Sequence, residues 1–185
     1  INATITNTGT INLNGDLDNE HIITNEETGI ITGAVIVTDN ALLLTSLDNN
    51  GTLTNHGLLR KVGIFTEDIF LNKANGNIQQ SDIQNTALFE NEGKIEIGYV
   101  EPTFFSNSIF NGASSVFKNK STGIIECLLP ISDPLSGNLF ATTFIINGQN
   151  AVFENEGMIK ANLESHSNPN LDILLNAGSF KNLVG

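Results

Sequence analysis

The stretch FENEGKIEIG at 89–98 returns as FENEGMIKAN at 153–162, and between them FKNKSTGIIE at 117–126 keeps the frame with the charges reversed. The constant part is Phe-x-Asn, a short turn, then Gly-x-Ile. A frame that survives while the charges inside it alternate describes copies that lie against one another. Glu90, Lys118, Glu154 and Lys181 each follow the Phe, and Lys73, Glu92, Lys120 and Glu156 follow the Asn. Both series change sign at every step. Like charges one strand apart repel and opposite ones attract by roughly 0.2–1 kcal/mol a pair, so the alternation favours one register over slippage.

Working outward, the same unit appears as ITNTGTI at 5–11, ITNEETGII at 23–31, LDNNGTL at 47–53, LTNHGLL at 53–59 and FLNKANGNI at 70–78, with FKN at 180–182 beginning another. A shorter element precedes the later copies: IQN at 83–85, IFN at 109–111, IIN at 145–147 and the looser ILLN at 173–176. With Ile5, Ile23, Leu47, Phe70, Phe89, Phe117, Phe153 and Phe180 as anchors the steps are uneven, which excludes a strict short-period repeat and suits constant strands with variable loops. Apolar and polar residues alternate over three to six positions between Gly and Asn, the signature of strands, and no long 3.6-residue stripe interrupts them. Strands this short are not stable as isolated hairpins. Stacked as successive coils, each has a neighbour above and below.

The reading is therefore all-β: one parallel β-solenoid domain over residues 1–185, of about seven or eight rungs, with variable loops on one side. In it Phe70, Phe89, Phe117, Phe153 and Phe180 pile up about 4.8 Å apart, as do Ile95, Ile125 and Ile159. Asn72, Asn91, Asn119, Asn155 and Asn182 turn inward at a bend and bond their counterparts, because a buried amide needs partners. Gly at the corner is read as a residue tolerating positive φ where a Cβ would clash. The rival all-β reading, a sandwich, does not require the same frame in every other strand.

Composition narrows the function classes. Twenty acids against eight bases give a net charge of −12, which disfavours nucleic acid and anionic membrane as partners. No apolar run has the length of a membrane helix, so no direct membrane insertion is expected. Cys127 is the only cysteine, which rules out an intramolecular disulfide and reads as a small core residue. Arg60 is isolated, and His21, His56 and His166 fall in different copies without metal-ligand spacing. The Thr alternation at Thr4, Thr6, Thr8 and Thr10 does not persist into later copies, so a flat ice-binding array is not expected. No phosphate loop, dinucleotide fingerprint or calcium repeat is present, and no cofactor or metal is expected.

The variable segments at 98–108, 126–143 and 160–171 carry all four prolines and are the natural place for recognition. Candidate ligand-binding residues there are Tyr99, Glu101, Phe104, Phe105, Asp133, Glu164 and His166. For Phe104 and Phe105 the competing reading is burial against the coil. A carbohydrate-active enzyme would need paired acids outside the charge columns, and Glu101, Asp133, Glu164 and Asp172 are the set to inspect.

ITNTGTI, LDNNGTLTNHGLL and FENEGKIEIG resemble the coils of bacterial secreted right-handed parallel β-helices, as in autotransporter passengers and filamentous-haemagglutinin-type adhesins. The resemblance covers most of the chain outside the Pro-bearing segments and specifies a scaffold. It implies a single-stranded right-handed β-helix, export, and an extracellular or cell-surface location. Rung lengths are irregular, and no translocator domain is present in the sequence. The expected function is a non-enzymatic surface-exposed or secreted structural, adhesin-like module binding a glycan or protein ligand. Two alternatives stay open: a self-assembling extracellular filament subunit joined end to end through its end rungs, and a β-helical polysaccharide lyase or glycoside hydrolase. Both ends of the sequence lie mid-motif, from which a fragment of a longer repeat-containing chain is expected.

Overall fold

In a computed structural model, residues 3–37, 42–100, 105–106, 108–128, 143–162 and 172–183 are described. Among them there is no helix, and the strands form three sheets that run the length of the molecule. Sheet I contains Thr4–Asn7, Ile22–Asn25, Thr52–Asn55, Ile69–Asn72, Leu88–Asn91, Val116–Asn119, Val152–Asn155 and Ser179–Asn182. Sheet II contains Thr10–Asn12, Ile30–Thr32, Leu58–Arg60, Asn77–Gln79, Lys94–Val100, Ile124–Leu128 and Met158–Asn162. Sheet III contains Leu17–Asn19, Leu42–Asn49, Val62–Thr66, Ile83–Asn85, Ile109–Asn111, Thr143–Asn147 and Asp172–Asn176. The chain visits I, II and III in turn and every pairing between coils is parallel, which makes the fold a parallel β-solenoid.

Side chains alternate across each strand, so one set enters the lumen and the other faces out. In sheet I the inward column is Ile5, Ile23, Leu53, Phe70, Phe89, Phe117, Phe153 and Phe180. From Phe70 to Phe153 the rings lie 4.5–4.7 Å apart and within 5–6° of parallel, and Phe180 follows at 5.4 Å. Leu47, one of the sequence anchors, does not belong to this column. It pairs with Leu17 and Ile64 in sheet III, and Leu53 occupies the sheet I position between Ile23 and Phe70. Sheet II adds Ile31, Leu59, Ile78, Ile95 and Ile125, and sheet III adds Leu47, Ile64, Ile83, Ile109 and Ile145, all buried. Burying such a side chain is worth about 1.5–3 kcal/mol.

Two asparagine ladders brace the corners. At the corner between sheets I and II, Nδ2 of each residue donates to Oδ1 of the next through Asn7, Asn25, Asn55, Asn72, Asn91, Asn119, Asn155 and Asn182, at 2.7–2.9 Å. At the corner between sheets III and I, Asn85, Asn111, Asn147 and Asn176 form a second ladder, and Asn19 donates to Asn49. The two parts of this second ladder are separated by Thr66, which pairs with Asn49 and Asn85 but whose buried hydroxyl finds no partner. Thr66→Asn is expected to rejoin the ladder and raise stability by about 1 kcal/mol. The check is an upward shift in the urea midpoint at unchanged slope. A lower midpoint would show that Thr66 suits its site better than an amide does.

Glycine at the first corner has a different cause from the one its sequence position suggests. Gly123 has no positive φ; instead, a Cβ there would land on the Asn119 Oδ1 and the Asn91 carbonyl oxygen, the ladder itself. Space, and not backbone conformation, demands the residue.

The charge columns lie on the outside of this frame. Glu90 pairs in register with Lys118, Lys118 with Glu154, and Glu154 with Lys181. Lys118–Glu90 closes at 3.3 Å, Lys181–Glu154 at 2.9 Å and Lys73–Glu92 at 3.1 Å. Hydrogen bonding to Lys181 holds the Glu154 carboxyl below its ordinary pKa. Sheet II supplies a cluster not evident from the motif. Glu96 and Glu126 are like-charged neighbours in register, and Lys94 contacts both, at 2.8 Å for Glu126. Glu126 and then Glu96 raise the Lys94 pKa, and Lys94 lowers that of Glu126.

Candidate functional site: the edge between sheets II and III

The corner between sheets II and III is where coil length varies. Lys61 alone links Leu58–Arg60 to Val62–Thr66, and it does so with φ 56°. In other coils longer stretches of chain join sheets II and III at this corner, over 33–46, 98–108, 128–143 and 162–172. The first of these does not stand out in the sequence, because GAVIVTDNALLLTS has no proline and reads as further strand. Val35–Val37 pairs antiparallel with the start of Leu42–Asn49, forming a hairpin beside the coil. Lys94–Val100 likewise runs past the sheet and pairs antiparallel with Phe105–Ser106. Gly98 marks the exit, with φ 123°, and a Cβ there would strike the Leu128 backbone.

The sequence-derived candidates group accordingly. Tyr99 and Phe105 lie in the backbone of this second hairpin, in the pairs Tyr99 with Ser106 and Val100 with Phe105. Asp172 opens a sheet III strand opposite Thr143. Glu101, Phe104, Asp133, Glu164 and His166 lie outside the described residues.

Sheet III borders this edge and has an outward row that strand pairing completes. In register it reads Asp18, Asp48, Phe65, Gln84, Phe110, Ile146 and Leu175. Phe110 and Leu175 are 38% and 54% exposed, and Phe65 and Ile146 are half-buried. The Phe65 ring leans back over Gly63, where a Cβ would meet it at 3.2 Å, so glycine makes room for that ring; the Phe110 ring lies at ordinary contact distance from Gly112. Beside the row, Asp82 is largely buried and its Oδ1 accepts the Ser108 N–H at 2.8 Å, which ties the return of the 98–108 excursion to the sheet. Burial raises the Asp82 pKa, with the Ser108 hydrogen bonds opposing it. At the other end, Asp16 accepts the Ser46 N–H at 3.1 Å and its pKa is lowered by that bond. Burial first, with repulsion from Asp18 and Asp16, raises the pKa of Asp48.

Cys127 is buried beside Ile97 in the lumen, and burial pushes its thiol pKa up to about 12. Thiolate is the reactive form, so the folded protein is expected to resist alkylation at neutral pH and to react once unfolded in urea. Equal labelling in both states would place the side chain outside the core. Among the described residues no group of three or more His, Cys, Asp or Glu is arranged to hold a metal ion, and no helix is long and apolar enough to cross a membrane. No family model, curated protein or solved structure matches the chain.

Proposed function

We propose that the chain is a non-enzymatic stem module of a secreted or cell-surface protein, of the adhesin kind found in autotransporter passengers and filamentous-haemagglutinin-type proteins, which binds a glycan or protein ligand. The observation that carries this reading is the common origin of the excursions. Four longer stretches of chain join sheets II and III at one corner of an otherwise regular coil, while the corners braced by asparagine hold only short turns. Variable loops held along one edge of a rigid scaffold are the usual arrangement for recognition. The coil supplies position, and the excursions and adjoining sheet III supply contact.

The test is a glycan array and a panel of extracellular-matrix proteins, run with the intact chain and with a variant in which residues 129–142 are replaced by a short Gly-Ser turn. A ligand retained by the intact chain and weakened in the variant supports the module. Release of products from any polysaccharide would overturn the non-enzymatic reading.

A further inference from the structure

Resting on that reading, we infer that the outer face of sheet III binds a linear polysaccharide containing amino sugars, laid along the solenoid axis across Asp48, Phe65, Gln84 and Phe110. Three features of the face specify this ligand. The first is aromatic: Phe65 and Phe110 sit in one outward row two coils apart, about 10 Å at β-sheet spacing, with the Gln84 side chain between them. Sugar rings have apolar C–H faces that pack on aromatic faces, and an amide between two such platforms can bond hydroxyl or acetamido groups. A spacing of two coils is also close to the length of a disaccharide unit in an extended chain.

The second feature is charge. The described strands of sheet III contain no Lys or Arg, whereas Arg60, Lys94 and Lys160 lie on sheet II and Lys118 and Lys181 on sheet I. Lys61, at the corner, is the nearest cation along the chain. Asp48 is the immediate register neighbour of Phe65, and Asp18 follows Asp48. An aromatic row running into carboxylates suits a ligand with ring faces and ammonium groups, since cations are attracted both to acids and to aromatic faces. The same charge repels uronic or sulfated glycans.

The third is position. Each residue of the row directly precedes the bend residue of the corner between sheets III and I (Asn49, Thr66, Asn85, Asn111), so the row runs along the axis beside the asparagine ladder. Sheets I and II lack this combination. The outward rows of sheet I set Leu88, Val116 and Val152 beside ions that pair as Lys118–Glu90 and Lys181–Glu154, and Lys94 on sheet II contacts both Glu96 and Glu126.

The experiment is calorimetric titration of the full chain with partly deacetylated chitosan oligomers, with cellohexaose and oligolysine as neutral and charge-only controls. Expected are binding of chitosan oligomers that weakens with salt, about a tenfold loss in Phe110→Ala, a smaller loss in Asp48→Asn, and no change in Lys118→Ala on sheet I. Because Phe110 is exposed, circular dichroism and the urea midpoint are expected to stay near wild type. No binding of the oligomers, binding indifferent to Phe110→Ala, or oligolysine binding equally well would overturn the inference. If a different glycan binds in the array and is lost with residues 129–142, the module reading stands while this site falls.

Discussion

Phe117→Ala is expected to lower stability by about 3–5 kcal/mol, the usual range for removing a fully buried aromatic. Phe117 is fully buried and has a ring on each side, Phe89 and Phe153, both at 4.7 Å. Truncation leaves a cavity inside the column that neighbouring coils cannot collapse to fill, because their strands are held at fixed spacing by parallel pairing and the adjacent asparagine ladder. Urea unfolding would show a large drop in midpoint. Phe117→Leu, which keeps most of the volume, is expected to recover about half the loss. A small effect of the alanine change would mean that the neighbouring coils do collapse onto the vacated site.

The second large effect comes from adding one carbon. Gly123→Ala is expected to destabilise by about 3 kcal/mol, since the new methyl meets the Asn119 Oδ1, the Asn91 carbonyl oxygen and, at 2.9 Å, the Asn91 Nδ2. None of these is the end of a mobile side chain. The two amides are members of the ladder, so relief at one coil disturbs the next. Gly9→Ala serves as the control: nothing lies within 4 Å of a Cβ there, and the change is expected to stay within about 0.5 kcal/mol. Equal effects at Gly9 and Gly123 would remove the steric argument.

What the sequence revealed depended on whether a residue's partners share its local motif. Phe89, Phe117 and Phe153 sit in nearly identical segments, so their stacking, and the sign alternation of Glu90, Lys118 and Glu154 beside them, can be read by aligning copies. The same logic misplaces Leu47. LDN at 47–49 and LTN at 53–55 both satisfy apolar-x-Asn, yet one belongs to the corner between sheets III and I and the other to the corner between I and II. The two ladders use one motif, and the motif does not say which bend it serves.

The antiparallel pair of Val35–Val37 with Leu42–Leu44 is hidden in the sequence for a related reason: its apolar alternation is that of an ordinary strand, and its departure from the coil is a matter of pairing. Little of the candidate site was legible. Gln84 and Phe110 hold the middle position of the same short element, IQN and IFN, which aligns them, but Phe65 lies in VGIFT, outside that element. Only parallel pairing brings Phe65 into their row. The Lys94 cluster is similar, because Glu126 reaches it across a coil.

The first ladder has one property that its bond lengths alone do not convey: all seven links point the same way, amide hydrogens toward the later coil. A single carboxamide cannot turn over by itself, since reversal sets donor against donor on one side and acceptor against acceptor on the other. The orientation of the file is thus a collective choice, propagated from coil to coil like alignment in a row of magnets. Its summed dipole lies along the axis of the molecule, negative at Asn7 and positive at Asn182.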